Sequence, residues 1–249
     1  MLSSCMSNLK VNLPWLALLL GVLSIGHANA SIVIDGTRVV YPAEKSEVSV
    51  RMTNEGEEPK LVQVWIDDGD KQVRPEDIRV PFVIPTPIFR MDPKKGQVVR
   101  IQYNQSKVLA NDRETVFWLN VLEIPAKPSA KDQEENYLQF RYRTRIKLFY
   151  RPKGIAGTAA EAPDKLVVKY KPGYVQLENP TAFNINISTL DIGDNGEGGK
   201  VESQMIAPFS DKLIELKGEK KPLQKPSIKY KAINDYGGAM LRETNAVSF

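Results

Sequence analysis

Leu138-Gln139-Phe140-Arg141-Tyr142-Arg143-Thr144-Arg145-Ile146 sets an apolar parity against a polar one made mostly of arginine. Successive side chains of an extended strand point to opposite faces, so a period of two reads as a β-strand with one apolar face. On pattern alone this is a half-buried strand lying on its own core. The segment leading into it, Pro125-Ala126-Lys127-Pro128-Ser129-Ala130-Lys131-Asp132-Gln133-Glu134-Glu135, is charged and proline-bearing, the composition of an exposed loop. A strand emerging from such a loop protrudes beyond its sheet. Its apolar face and open backbone edge would then be satisfied together by a strand from another chain.

The same period recurs outward in both directions. Val48-Ser49-Val50-Arg51-Met52, Leu61-Val62-Gln63-Val64-Trp65-Ile66, Val98-Val99-Arg100-Ile101-Gln102-Tyr103 and Val116-Phe117-Trp118-Leu119-Asn120-Val121 precede it. Leu166-Val167-Val168-Lys169-Tyr170 and Phe183-Asn184-Ile185-Asn186-Ile187 follow it. Turn signals separate them at Asn54-Glu55-Gly56, Asp67-Asp68-Gly69-Asp70, Pro93-Lys94-Lys95-Gly96 and the glycine-rich 193–199 stretch. Short strands at this spacing predict an all-β chain of β-sandwiches, and no segment holds a helical period as an α/β enzyme scaffold would. A break at Arg151-Pro152-Lys153-Gly154, followed by the small residues Ile155 to Ala160, divides the chain into 31–152 and 153–249, each the size of one immunoglobulin-like domain.

Residues 1–30 read as a signal peptide. Lys10 is their only charge, the apolar run Trp15 to Leu23 is short for a bilayer span, and Ala28-Asn29-Ala30 has the small-x-small form of a cleavage site. The expected mature chain begins at Ser31 and is exported. Leu2-Ser3-Ser4-Cys5 precedes the apolar run, the wrong side for a lipobox, and Met6 is an alternative start. The chain's one cysteine, Cys5, and one histidine, His27, both lie in this leader. The mature chain therefore offers no thiolate or imidazole, which removes the usual nucleophilic triads and zinc sites, and it has no disulfide. The formal net charge of +4, one unit of which leaves with Lys10, is too balanced to imply nucleic acid or an anionic membrane as the main partner.

Blocks of the sequence resemble the periplasmic chaperones of chaperone–usher pili, the PapD-like family. They are Thr37-Arg38-Val39-Val40-Tyr41, Asp112-Arg113-Glu114-Thr115, Leu122-Glu123-Ile124-Pro125, Ile146-Lys147-Leu148-Phe149-Tyr150-Arg151-Pro152, Glu178-Asn179-Pro180-Thr181 and Ile233-Asn234-Asp235-Tyr236-Gly237-Gly238. Any one block is weak evidence, but together they stand in family order across nearly the whole mature chain.

The resemblance implies two immunoglobulin-like domains set as a boomerang around a cleft, in the periplasm. It implies a chaperone with no catalytic role and no cofactor or metal, whose partners are pilus subunits and an outer-membrane usher, with no nucleic acid and no membrane insertion of the mature chain. Carried over by motif position, Arg38 and Lys147 would hold a subunit's C-terminal carboxylate. Leu138, Phe140 and Tyr142 would be donor-strand residues entering an apolar groove of the subunit. Glu114, Arg151 and Asp235 would form a salt-bridge cluster between the domains. Strict alternation places Lys147 on the arginine parity, opposite the donor residues, and a bulge or strong twist between Tyr142 and Lys147 would be needed to bring them together. Many family members carry a cysteine pair near the end of the second domain. This chain has none, and its loop before the donor strand matches a short-loop subgroup.

Other readings are weaker. Asp67-Asp68-Gly69-Asp70 and the Asp191, Asp194, Glu197 group lack calcium-loop spacing, and the former reads as a hairpin turn. Asn104-Gln105-Ser106 and Asn186-Ile187-Ser188 are formal glycosylation sequons of a kind that arises by chance. The basic run Lys217 to Lys221 reads as a solvated loop. The main rival function is a secreted structural or adhesive protein of tandem immunoglobulin-like domains. A secreted hydrolase with paired carboxylates is a more distant one, because no carboxylate pair has a recognisable setting.

Overall fold

In the computed structural model, the described residues are 32–126, 139–194, 196–217 and 223–248. The signal-peptide region 1–30, the 127–135 loop, Leu138 and all but the first residue of the 217–221 basic run lie outside them. Alternating apolar residues build two sandwiches. In the first, β1 (Ile32–Ile34), β3 (Glu47–Asn54), β7 (Gly96–Tyr103) and β5 (Phe82–Val83) form one sheet in that order. Its facing sheet runs β2 (Arg38–Pro42), β9 (Tyr142–Arg151), β8 (Thr115–Pro125), β4 (Lys60–Asp67) and β6 (Ile88–Met91). In the second, β14 (Ser210–Glu215), β11 (Tyr174–Asn179), β10 (Val167–Lys171) and β17 (Val247–Ser248) face β13 (Gly199–Ile206), β12 (Ile185–Ile192), β15 (Ser227–Ile233) and β16 (Ala239–Asn245).

Each sandwich encloses its own core. The first buries Tyr41, Met52, Val62, Ile101, Leu119 and Leu148, and the second Leu177, Ile185, Leu190, Ile192, Ile228 and Tyr230. Ile155 and Ala159, from the small-residue stretch after the break, pack against the second core. The Tyr41 hydroxyl donates to the carbonyls of Lys45 and Ser46 and accepts from the Tyr103 amide, which ties β2 to the end of β7.

The strand pattern sets out what will become the site. β2 joins β9 in parallel, and its first residue, Arg38, is paired with Lys147. β8 pairs with β9 antiparallel over most of its length, from Thr115↔Tyr150 to Glu123↔Tyr142. That register contains no shift, so of the bulge or strong twist invoked to reconcile Lys147 with the donor parity, the bulge is absent and that expectation is corrected. Ile146, Leu148 and Tyr150 point into the core, and Arg143, Arg145 and Lys147 take the outer face.

A second correction concerns Asp67-Asp68-Gly69-Asp70. β4 does not turn back there as a hairpin. It leads through a 3-10 turn at Pro75–Asp77 to β5 in the other sheet, and its antiparallel neighbours are β8, paired from Lys60↔Pro125 to Asp67↔Trp118, and β6, paired from Lys60↔Met91 to Gln63↔Ile88. The Gly69 amide donates to Asp67 Oδ1 in a local turn, while the carboxylate is buried for another purpose.

Candidate functional site

From Tyr142 to Ile146, β9 has β8 on one side only, because β2 ends at the Arg38↔Lys147 pair. Among the described residues no strand covers the other edge, so its backbone groups are open to pairing. Just before that edge, Phe140 is 60% and Tyr142 63% exposed, with ring centroids 6.4 Å apart. They continue the parity of Ile146 and Leu148, so the face that is core at one end of the strand is bare at the other.

The open edge stops at two cations. The Arg38 NH1 donates to the carbonyl of Ile233 at 3.2 Å, while its Nε is buried without a hydrogen-bond partner among the described residues. The Lys147 ammonium donates to Asn186 Oδ1 at 2.6 Å and lies 5.6 Å from the Trp118 ring centroid. Burial pushes the lysine below its usual pKa, and the neighbouring Arg38 charge lowers it further. Burial likewise lowers Arg38, against a raising effect from Asp235. Two partly desolvated like charges, each hydrogen-bonded to a neutral oxygen, are a site for an anion, and charge-assisted bonds to a carboxylate fit both donors.

Arg151 stands further along β9, at its end. Its Nε donates to Glu114 Oε1 at 2.7 Å, and NH1 and NH2 grip Asp235 at 2.8 and 2.9 Å. Its guanidinium lies 5.4 Å from the Phe183 ring. Burial opposes its charge, but Asp235 and Glu114 outweigh burial and hold its pKa above the usual value. Glu114 Oε2 accepts from the Asn184 amide and side chain, and the Glu114 amide donates to the Ala182 carbonyl. Asp235 belongs to a turn that abuts β2: Gly237 has φ +87° and a Cβ there would sit 2.5 Å from Thr37 Oγ1. The structure thus brings Arg38 and Lys147 together, and separately Glu114, Arg151 and Asp235. Phe140 and Tyr142 stand on the opposite parity of β9.

Sequence reasoning missed the lining of the outer face. Asp67 is buried and paired with Arg145; Arg145 Nε donates to Asp67 Oδ2 at 3.1 Å, and Asn120 Nδ2 does so at 2.7 Å. Arg143 donates to Asn120 Oδ1 and to the Lys71 carbonyl. The guanidinium of Arg143 lies 4.9 Å from the Trp65 ring and that of Arg145 4.1 Å from Trp118. Burial favours the neutral Asp67, but the bonds from Arg145, Asn120 and Gly69 win and hold its carboxyl below the usual range. The available signal was an outward parity carrying Trp65, Asp67, Trp118 and Asn120, residues too large or too polar for a merely solvated face. Asn186, read in the sequence only as a strand residue and part of a sequon, is buried against Lys147.

Comparison with known proteins places these features in a lineage. Residues 31–156 match the family described as pili and flagellar-assembly chaperone, PapD N-terminal domain, and residues 161–244 match pili assembly chaperone PapD, C-terminal domain. The chaperone protein FimB/FhaD of Bordetella pertussis is 45% identical over 215 residues, covering 85% of this chain and 86% of that one. The probable fimbrial chaperone YadV of Escherichia coli is 42% identical over 218 residues, covering 85% and 88%. The crystal structure of the Pseudomonas aeruginosa CupB2 chaperone superposes with a TM-score of 0.73 at 36% identity, covering 86% of this chain and 100% of that one.

Proposed function

Because the chain belongs to the PapD-like family of pilus-assembly chaperones, we propose that it captures pilus subunits by lending them β9 as a missing strand. A chaperone of pilus-subunit assembly needs a reversible cap for an aggregation-prone partner, and the tandem-domain adhesive alternative is not favoured by these relationships. The family is one of chaperones rather than enzymes, and no reaction is assigned to this chain.

One observation carries the reading: the open edge of β9 ends at the paired Arg38 and Lys147. β2 is parallel to β9 and begins there. A strand laid along Tyr142 to Ile146 in line with β2 and with the same polarity would therefore arrive at the two cations with its C-terminus. Its terminal carboxylate would meet Arg38 and Lys147 in the plane of the sheet. The parity conflict then disappears, since a chain end at a sheet edge reaches the outer face while Phe140 and Tyr142 serve the inner one. Leu138 continues their parity in the sequence. Filling an apolar groove with Phe140 and Tyr142 contributes about 1.5–3 kcal/mol each before association costs. Alone that does not outweigh the cost of association, so the backbone pairing along the edge and the carboxylate anchor must add to it, and the cap stays releasable to another strand.

The mature chain is assigned to the periplasm, where this family works, after cleavage following Ala30, and delivers its cargo to an outer-membrane usher. The domains are divided as 31–152 and 153–249, which is supported by β9 ending at Arg151 and Ile155 joining the second core. The deciding experiment is co-expression of the chaperone and a pilus subunit in a periplasm. Wild type should yield a soluble complex, and a subunit extended by several residues past its native C-terminus, so that its carboxylate is carried beyond Arg38 and Lys147, should aggregate. Equal recovery of the extended subunit would refute the anchoring scheme.

A further inference from the structure

The groups around the two cleft cations divide sharply by charge. Arg38 meets the Ile233 carbonyl and Lys147 meets Asn186 Oδ1, both neutral oxygens. The nearby carboxylates are committed elsewhere: Asp235 is gripped through both oxygens by Arg151, and Glu114 is shared between Arg151 and Asn184. Asn186 and Ile233 are neighbours across β12 and β15, since the next pair along is Ile187↔Ala232. The register of these strands shifts between Ile187 and Thr189, and the Ser188 hydroxyl donates to the Lys231 carbonyl at the irregularity. The second domain therefore presents two uncharged acceptors side by side to two cations of the first.

We propose that Asn186 is the residue that keeps this site selective for an incoming carboxylate, by holding the Lys147 ammonium in position without neutralising it. This rests on the anchoring role of Arg38 and Lys147 given above. An aspartate of the same shape would form a permanent internal ion pair with Lys147, and a second carboxylate entering would meet its repulsion. An apolar residue would leave the ammonium charged but loosely placed. A neutral amide oxygen supplies the geometry of a ligand at the strength of an ordinary hydrogen bond, which a full carboxylate readily displaces.

The test uses sodium acetate as the probe, with sodium chloride as the ionic-strength control, on the purified mature protein labelled with 15N in lysine and arginine side chains. Acetate should shift the Lys147 Nζ and Arg38 Nε signals in the wild type. In Asn186→Asp the apparent acetate affinity should fall by about tenfold or more. In Asn186→Ala the fall should be smaller than in Asn186→Asp, because the charge remains available although the ammonium is no longer held. A structural role for Asn186 predicts the reverse order, since aspartate preserves its shape and alanine does not. An Asn186→Asp response equal to wild type, or a fall in Asn186→Ala as large as that in Asn186→Asp, overturns the proposal while leaving the anchor intact. Absence of any acetate effect in the wild type overturns the anchor itself and this inference with it. If Asn186→Asp fails to fold, Asn186→Glu takes its place: a fall in acetate affinity of about tenfold or more sustains the proposal, and a response equal to wild type ends it.

Discussion

Arg38 and Lys147 are direct partners in the parallel β2–β9 register, and both point away from the first core toward the second domain. Side-by-side placement of two cations with little water around them is a cost to the fold. Burial and the Arg38 charge depress the Lys147 pKa, so the folded state disfavours the charged lysine. That penalty is present in full below the folded pKa and disappears as pH rises to the unfolded value near ~10.4. Lys147→Met should therefore melt at or above the wild-type temperature at neutral pH, with the two curves converging in alkali, while losing subunit complexes. A melting point several degrees below wild type would contradict this account. Arg38→Ala should weaken capture by about 2–5 kcal/mol, read as loss of co-purified subunit.

The two parities of the donor segment should respond oppositely to charge. Phe140 is exposed in the free protein, so Phe140→Glu should leave the melting temperature nearly unchanged but abolish subunit capture, because a carboxylate would enter an apolar groove unpaired. Arg141→Glu, one residue on and facing the other way, should do far less. A large fall in free-protein stability for Phe140→Glu would assign that ring to the chaperone's own core.

Asp67 should act as an acid-sensitive pin for the outer face of β9. Its side chain is 1% exposed and paired with Arg145, which is itself only 11% exposed. Asp67→Asn removes the charge and leaves that guanidinium without its counter-ion, a loss on the order of 3 kcal/mol. Burial alone would raise the carboxyl pKa, yet the bonds from Arg145, Asn120 and Gly69 leave it lowered. Its stabilisation is thus present above the unfolded value near ~3.9 and lost as pH falls through the lower folded value. Chemical denaturation should show the gap between wild type and variant narrowing in acid. A gap that is constant with pH would place the effect in packing rather than charge.

The Gly237 contact should set how the domains meet. Its φ of +87° and the 2.5 Å that would separate an added methyl group from Thr37 Oγ1 both oppose a side chain. Gly237→Ala should displace the turn that carries Asp235 and loosen its grip on Arg151. Asp235→Ala should have a similar effect by removing the partner. Small-angle scattering should register a changed radius of gyration in both variants, with each sandwich still folded by circular dichroism. An unchanged scattering profile would mean that other contacts hold the angle.

Much of this is legible along the chain because strands write their faces with a period of two. The alternation at 48–52, 61–66, 98–103 and 116–121 names the buried side of each strand, since apolar residues on one parity have only one way to leave water. The apolar runs that open at Leu166 and Phe183 start ahead of their strands, which begin at Val167 and Ile185, because apolar residues do not mark where backbone pairing starts. Asp67 reads as a turn residue in the sequence because its destination, Arg145, is a neighbour only across the sheet.

What the sequence by itself determined is the all-β class, the two-domain division and, through its motif blocks, the cations and aromatic residues on which the proposed function turns. These depend on local periodicity and on residue identity, and both are present before the chain folds. Tertiary structure alone decided that Arg38 meets Lys147 at the end of an open strand edge, that no bulge joins the donor parity to the anchor, and that Asn186 faces the lysine. Those relations join residues far apart in the chain and are set by strand register and domain packing, in which a shift of one residue turns every side chain to the opposite face.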